Sequence, residues 1–177
     1  CDAIDAEADQ IVGLGEAIMD EPELGFKETK TAARVEDLFQ SAGLQADSGL
    51  ALTGVRAVLD SGRPGPTVAL MGELDALIVP DHPRCDAQTG AAHACGHNAQ
   101  IAGMVGAAIG VAAADLKDRI SGRIVFFAVP AEEYVEIDYR LGLVREGRTS
   151  FLAGKPELVK LGAFDDIDMA IMIHTGS

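Results

Sequence analysis

The sequence predicts an α/β fold: a mixed or mostly parallel sheet with helices on both faces. Three observations predict it. Near-continuous apolar strands at 67–71, 122–129 and 168–173 read as buried on both sides. Helix-period segments at 3–19, 27–42 and 98–116 alternate with strands along the chain. The chain has 177 residues, 48% of them hydrophobic and 24% charged, enough for one ordinary core.

Taken in order, 3–19 carries Ile4, Ile11, Leu14, Ile18 and Met19 at uneven helical spacing, and Pro22 follows. Glu23 to Phe26 reads as a bend. The second helix, 27–42, places Ala32, Val35, Leu38 and Phe39 on one face and closes at Gly43. Strands at 53–59 and 67–71 flank the turn Ser61-Gly62-Arg63-Pro64-Gly65-Pro66. Residues 80–92 are loop-like, with Pro80, Pro83 and Gly90. The third helix, 98–116, lines up Ile101, Met104, Val105, Ala108, Ile109, Ala112 and Leu116. A buried strand at 122–129 ends at Pro130, a helix-plus-loop region occupies 134–165, and 168–173 is a final buried strand.

Charge narrows the partners. There are 28 Asp and Glu against 14 Lys and Arg, a net charge of −14. Nucleic acid and anionic membrane surfaces both call for a basic footprint, so neither is expected as a partner. Three cysteines, Cys1, Cys85 and Cys95, make a poor disulfide framework and fit a reducing cytoplasm. The apolar run 101–114 is too short for a membrane span, and no leader peptide is visible. The chain opens without Met and stops just after a strand-like segment, which reads as a fragment.

Four chemically loaded clusters sit at strand ends or at a helix start: Glu73-Leu74-Asp75, His93-Ala94-Cys95-Gly96-His97, Glu132-Glu133 and His174. In open α/β sheets ligands collect beyond the carboxyl ends of the strands, so these distant segments can converge. Cys95 and His97 offer a thiolate and an imidazole two residues apart, suited to a borderline divalent metal. Alone, the pair also reads as a buried structural Cys near a surface His. Glu132 and Glu133 point opposite ways on an extended backbone. One carboxylate can then bind metal while the other takes a proton from water, and an ordinary exposed turn pair is the other reading. His174 ends an apolar strand, where a structural His is more common than a ligand. His93 reads as a ligand or as a helix-entry residue near the site, and Asp75 as a site residue or a loop cap.

The order and wording of the segments add more. Pro22-Glu23-Leu24-Gly25-Phe26-Lys27-Glu28, Thr53-Gly54-Val55, Glu73-Leu74-Asp75-Ala76-Leu77, His93-Ala94-Cys95-Gly96-His97-Asn98 and Pro130-Ala131-Glu132-Glu133 occur in series. The chain thereby resembles the M20 metallopeptidases, in the amidohydrolase branch of aminoacylase-like, auxin-conjugate and aminobenzoyl-glutamate hydrolases. The resemblance runs from about Ile11 to His174. It implies a zinc-peptidase-like catalytic domain of which 1–177 is the N-terminal part, without the lid or dimerisation domain and the C-terminal part. It implies two divalent ions, Zn or Mn, held by Cys95, His97, Glu133 and His174, with a further His from near the C-terminus of the family's chains. It makes Glu132 the general base and puts Asp75 and His93 behind the ligands. The implied reaction is hydrolysis of an amide or dipeptide-like bond in N-acyl amino acids or similar conjugates, by a parent enzyme that is expected to be a homodimer. The 177-residue piece alone is expected to be inactive. Asn98 and Gln100 stand where the family commonly has Asp and His, and Asp20 where it has His. Three alternatives accompany this reading: a non-catalytic metal-binding remnant, an interaction module, and a cysteine hydrolase using Cys95 with His174 as base.

Overall fold

A computed structural model describes residues 2–114 and 119–175. Among these residues the elements follow in the order α1 (Asp2–Ala6), α2 (Ala8–Asp20), α3 (Thr29–Ser41), β1 (Ala46–Leu50), β2 (Gly54–Asp60), β3 (Thr67–Glu73), β4 (Leu77–Ile78), β5 (Ala91–Ala92), α4 (His97–Ala113), β6 (Arg123–Val129), α5 (Ile137–Arg145), α6 (Gly154–Lys160) and β7 (Met169–Met172). The main sheet has the order β1-β2-β6-β3-β7, and β4 and β5 form a separate small ribbon. β1–β2 and β2–β6 are antiparallel, whereas β3 runs parallel to both β6 and β7. The sheet is therefore mixed.

Strand alternation divides the core between the two faces. Val55, Ala57, Leu59, Phe126 and Ala128 point to one side and pack with Leu14 and Ile18 of α2, Val35 and Phe39 of α3, and Ile101, Met104 and Val105 of α4. Phe39 and Phe126 meet with ring centroids 6.2 Å apart. Ala69, Met71, Val125, Phe127 and Val129 point to the other side, where Leu158 of α6 and the following Phe164 and Ile167 cover them. Burying a Phe or Leu contributes about 1.5–3 kcal/mol, so these two layers hold the sheet between them.

Several expectations change. The helix expected over 3–19 breaks at Glu7 into α1 and α2. The helix expected from 27 starts at Thr29, because the Glu23 carboxylate accepts the free first-turn N–H groups of Lys30 and Thr31 (3.2 and 2.8 Å). β1, in a stretch for which the sequence predicts no element, pairs with β2 despite its exposed polar sequence. The loop 80–92 includes β5, which pairs with β4. The 134–165 region resolves into α5 and α6. Leu116, expected at the end of the third helix, lies outside the described residues.

The expected burial of 168–173 is overturned. β7 is an edge strand whose four residues are all exposed, and Ile173 beyond it is 73% exposed. Among the described residues it pairs with β3 on one side only, and apolar sequence alone cannot distinguish an interior strand from an uncovered edge. Its place is set by Thr67 and Asp168: the Thr67 N–H donates to the Asp168 carboxylate at 2.8 Å, and the Asp168 N–H donates to the Thr67 carbonyl at 3.0 Å.

Candidate metal centre

β3, β6 and β7 are parallel, so their carboxyl ends emerge along one rim of the sheet. Glu73 is level with Val129 across β3–β6, and Met71 is level with Met172 across β3–β7. Glu73, the Glu132-Glu133 pair and His174 therefore all leave their strands at the same end. α4 begins at this rim with His97 as its first residue. Gly96 before it has φ 93°, the left-handed region that favours glycine. A Cβ at Gly96 would also strike the Thr175 hydroxyl, which donates to the Cys95 carbonyl at 3.1 Å. The glycine lets the end of β7 close onto the Cys95–His97 turn.

His97 is the hub. It is 1% exposed, and its Nδ1 donates to the Asp75 carbonyl at 2.8 Å. A carbonyl can only accept, so Nδ1 carries a proton and Nε2 is turned toward the remaining donors. Nε2 lies 3.0 Å from Glu73 Oε2, 3.9 Å from Glu132 Oε2 and 4.0 Å from Glu133 Oε1. The 3.0 Å contact is poorly directed, so Nε2 has a carboxylate beside it but no well-aligned hydrogen-bond partner. Cys95 Sγ lies 3.3 Å from His174 Nε2, and the rings of His97 and His174 meet edge to face at 5.4 Å. One donor atom from each of Cys95, His97 and His174 fits within 4.8 Å of the others, as does one from each of Glu73, His97 and Glu132.

The surroundings set the charge states. Burial works to lower the proton affinity of His97, but the contact with Glu73 outweighs it and raises the imidazole to about 9. Burial likewise works to raise the Glu73 carboxyl, yet His97 and the ammonium of Lys155 bring it down to about 2. Burial, then the Glu133 carboxylate within hydrogen-bond reach, push the Cys95 thiol up to about 11. Asp75 is fully buried, which lifts it to about 6 although it accepts the N–H groups of Glu132 (3.0 Å) and Glu133 (2.9 Å).

Of the residues singled out in the sequence, the fold brings Cys95, His97, Glu132, Glu133, His174 and Asp75 together. His93 is buried, neither ring nitrogen has a hydrogen-bond partner, and burial pushes it down to about 4. It is in neither group of converging donors, and nor are Glu133 and Asp75, which lie 4.0 and 3.8 Å from the His97 ring nitrogens. Glu73, to which the sequence alone assigns no role, also faces the centre. It is 2% exposed and closer to His97 than either Glu132 or Glu133, and its position as the last residue of β3 was the available signal. Asn98 and Gln100 serve the scaffold. Asn98 donates to the Gly15 carbonyl at 3.1 Å, and Gln100 accepts the Glu73 N–H at 2.7 Å.

The donor set fits divalent metal. Thiol, imidazole and carboxylate groups suit a borderline ion. Four carboxylates, Glu73, Asp75, Glu132 and Glu133, crowd one imidazole, and His97 Nε2 is a buried nitrogen without an aligned partner. A cation among them would offset the crowding and occupy that nitrogen.

A profile of the Peptidase family M20/M25/M40 matches residues 69–177. The chain belongs to this peptidase family. Among its relatives, Thermostable carboxypeptidase 2 of Saccharolobus solfataricus is 31% identical over 173 residues, covering 96% of this chain and 40% of that protein. The N-acyl-L-amino acid amidohydrolase of Geobacillus stearothermophilus is 33% identical over 159 residues, 88% of this chain and 38% of that protein. The crystal structure of Bacillus subtilis YXEP, described as a dinuclear metal binding peptidase from the M20 family, superimposes with a TM-score of 0.78 at 21% identity, over 97% of this chain and 44% of its own. The chain thus spans about two fifths of the length of these relatives. Among the described residues, no helix is long and apolar enough to cross a membrane.

Proposed function

We propose that this chain is the metal-binding N-terminal part, 1–177, of a catalytic domain that hydrolyses the amide bond of N-acyl amino acids or similar dipeptide-like conjugates. The observation that carries the reading is the convergence of Cys95, His97 and His174 from two separate segments, with Glu133 Oε1 of a third segment 4.0 Å from His97 Nε2. The names of two relatives, a carboxypeptidase and an N-acyl-L-amino acid amidohydrolase, agree on an amide bond beside an amino-acid carboxylate. Because the chain spans only 40% of the first of them, turnover is proposed for a polypeptide of the relatives' length, and the 177-residue piece alone is expected to be inactive.

Cys95, His97, Glu133 and His174 would hold the metal, with Zn or Mn suited to the donors, and Glu73 is added here as a further candidate. Two ions are proposed, in line with the dinuclear description of YXEP. When bound, such ions supply Lewis acidity, polarising a carbonyl and acidifying water. The chain's own groups do the rest. Glu132 has the more exposed side chain of the adjacent pair, 36% against 16% for Glu133, and so faces the approach of water and substrate. It would take a proton from water at its carboxylate and return it to the leaving amine. Asp75 holds the backbone of both glutamates by their N–H groups.

One contact favours a second reading. Cys95 Sγ and His174 Nε2, 3.3 Å apart, have the spacing of a thiol–imidazole pair. Against it, burial and the Glu133 carboxylate keep the Cys95 thiol protonated. Chelation decides between the two. With a polypeptide of the relatives' length and a panel of N-acyl amino acids, EDTA should abolish turnover and added Zn or Mn restore it. Turnover that survives EDTA and is lost on thiol alkylation would establish the cysteine mechanism instead.

A further inference from the structure

The Pro22–Glu28 segment bears no group that reaches the metal donors, yet it ends in a fully buried carboxylate. Glu28 is 0% exposed, and its Oε1 accepts the Ala131 N–H at 2.8 Å while its Oε2 accepts the Thr53 hydroxyl at 2.6 Å. Ala131 immediately precedes Glu132 and Glu133, and its φ of 50° lies in the left-handed region that residues with a Cβ rarely adopt. Such a conformation persists only where the surroundings over-determine it.

They do so here. Three consecutive amides are held by two buried carboxylates: Ala131 by Glu28, then Glu132 and Glu133 by Asp75 at 3.0 and 2.9 Å. On the carbonyl side, Ala131 accepts the Gly154 N–H at 3.1 Å and lies 3.5 Å from Arg140 Nη1. Arg140 is itself fully buried, donates to the Leu152 carbonyl at 2.8 Å, and places Nη2 3.8 Å from Asp75. Gly25 makes room for this arrangement: a Cβ there would collide with the Arg140 guanidinium and lie 2.9 Å from Ala131 Cα. The guanidinium stands over the Phe26 ring, 5.6 Å from its centroid. The segment from Gly25 to Glu28 is thus the back wall of the turn that presents both glutamates.

We infer that Glu28 is a positioning residue, which fixes the strained Ala131 turn and thereby aims Glu132 and Glu133 at His97. The inference rests on the metal-centre reading for its consequence, but its geometric content can be tested without metal. Burial pushes the Glu28 carboxyl up to about 8. The neutral acid that this favours near neutral pH is closely imitated by Gln, which can accept from Ala131 and donate to Thr53.

The test compares wild type, Glu28→Ala and Glu28→Gln by amide hydrogen exchange over 131–133 and by Zn²⁺ affinity in competition with a chromophoric chelator. Glu28→Ala should speed exchange at 131–133 while leaving α2 and α4 protected, and should weaken Zn²⁺ binding by about 10–100-fold, the usual effect of removing a group behind metal ligands. Glu28→Gln should restore both. Three results would overturn the inference: unchanged exchange and affinity in Glu28→Ala, protection lost across the whole chain, or Glu28→Gln no better than Glu28→Ala. If the wild-type protein binds no Zn²⁺, the metal reading fails separately and the exchange data alone decide the role of Glu28.

Discussion

Glu132 and Glu133 are neighbours in the chain, with carboxylate oxygens nearly equidistant from His97 Nε2 (3.9 and 4.0 Å), but one is more than twice as exposed as the other. That difference supports the proposal that Glu132 is the base and Glu133 the ligand. In a polypeptide of the relatives' length, Glu132→Gln should cut kcat by about 10²–10⁴-fold with metal content unchanged, and Glu133→Gln should lower metal content measured by mass spectrometry. Equal metal loss in both would remove the division of labour. At this scale the sequence was informative wherever a residue type is chemically rare in its setting, such as Cys95 two residues before His97. It was silent on Glu73 because one carboxylate in a Glu-x-Asp triplet looks like the other. Only the register of β3 with β6, and the Gln100 side chain on the Glu73 amide, place Glu73 against His97.

β7 leads to His174, two residues beyond its end, and its other edge is unpaired within the described residues. Met169 and Ile171 are 51% and 53% exposed. An apolar edge with free backbone groups is a template for association. The 177-residue chain should therefore self-associate with rising concentration, and Ile171→Lys should reduce this in light scattering without changing the far-ultraviolet circular dichroism. A monomer at all concentrations would show that the edge is not adhesive. Strands with a strong apolar run, β3 and β6, were legible from sequence. β1, with its Ala-Asp-Ser-Gly-Leu sequence, was not, because its pairing with β2 uses backbone groups and asks little of its side chains. The burial of β7 was misread for the converse reason: composition reports what a strand could bury, whereas its neighbours decide what it does bury.

Across the whole molecule, buried titrating groups should make the stability of the metal-free protein depend on pH. Glu28, ordinarily near 4.5, is raised to about 8, and His97, ordinarily near 6.5, to about 9. In both cases the folded state holds the proton more tightly than the unfolded state. Their contributions to stability are therefore complete at low pH and are lost as pH rises, from 4.5 to about 8 for Glu28 and from 6.5 to about 9 for His97. Glu73, lowered to about 2, works the other way: its contribution is complete above 4.5 and is lost as pH falls from 4.5 to about 2. The Tm of the metal-free chain should fall between mildly acidic and mildly alkaline pH, and Glu28→Gln should flatten that fall; an identical slope in the variant would contradict the burial of an acid at 28. The fold class and the rim of the site followed from strands ending in chemically loaded residues, whereas the buried support beneath them, Glu28 and Arg140, depends on contacts between segments more than a hundred residues apart in the chain. The central claim, that Cys95 and His97 join His174 and Glu133 around metal, is tested most directly by adding Co²⁺ to the metal-free protein and recording its absorption spectrum. A thiolate-to-cobalt charge-transfer band that disappears in Cys95→Ser, weakens in His174→Ala and survives in Glu132→Gln is the predicted result. No such band in wild type, or an undiminished band in Cys95→Ser, would contradict the account.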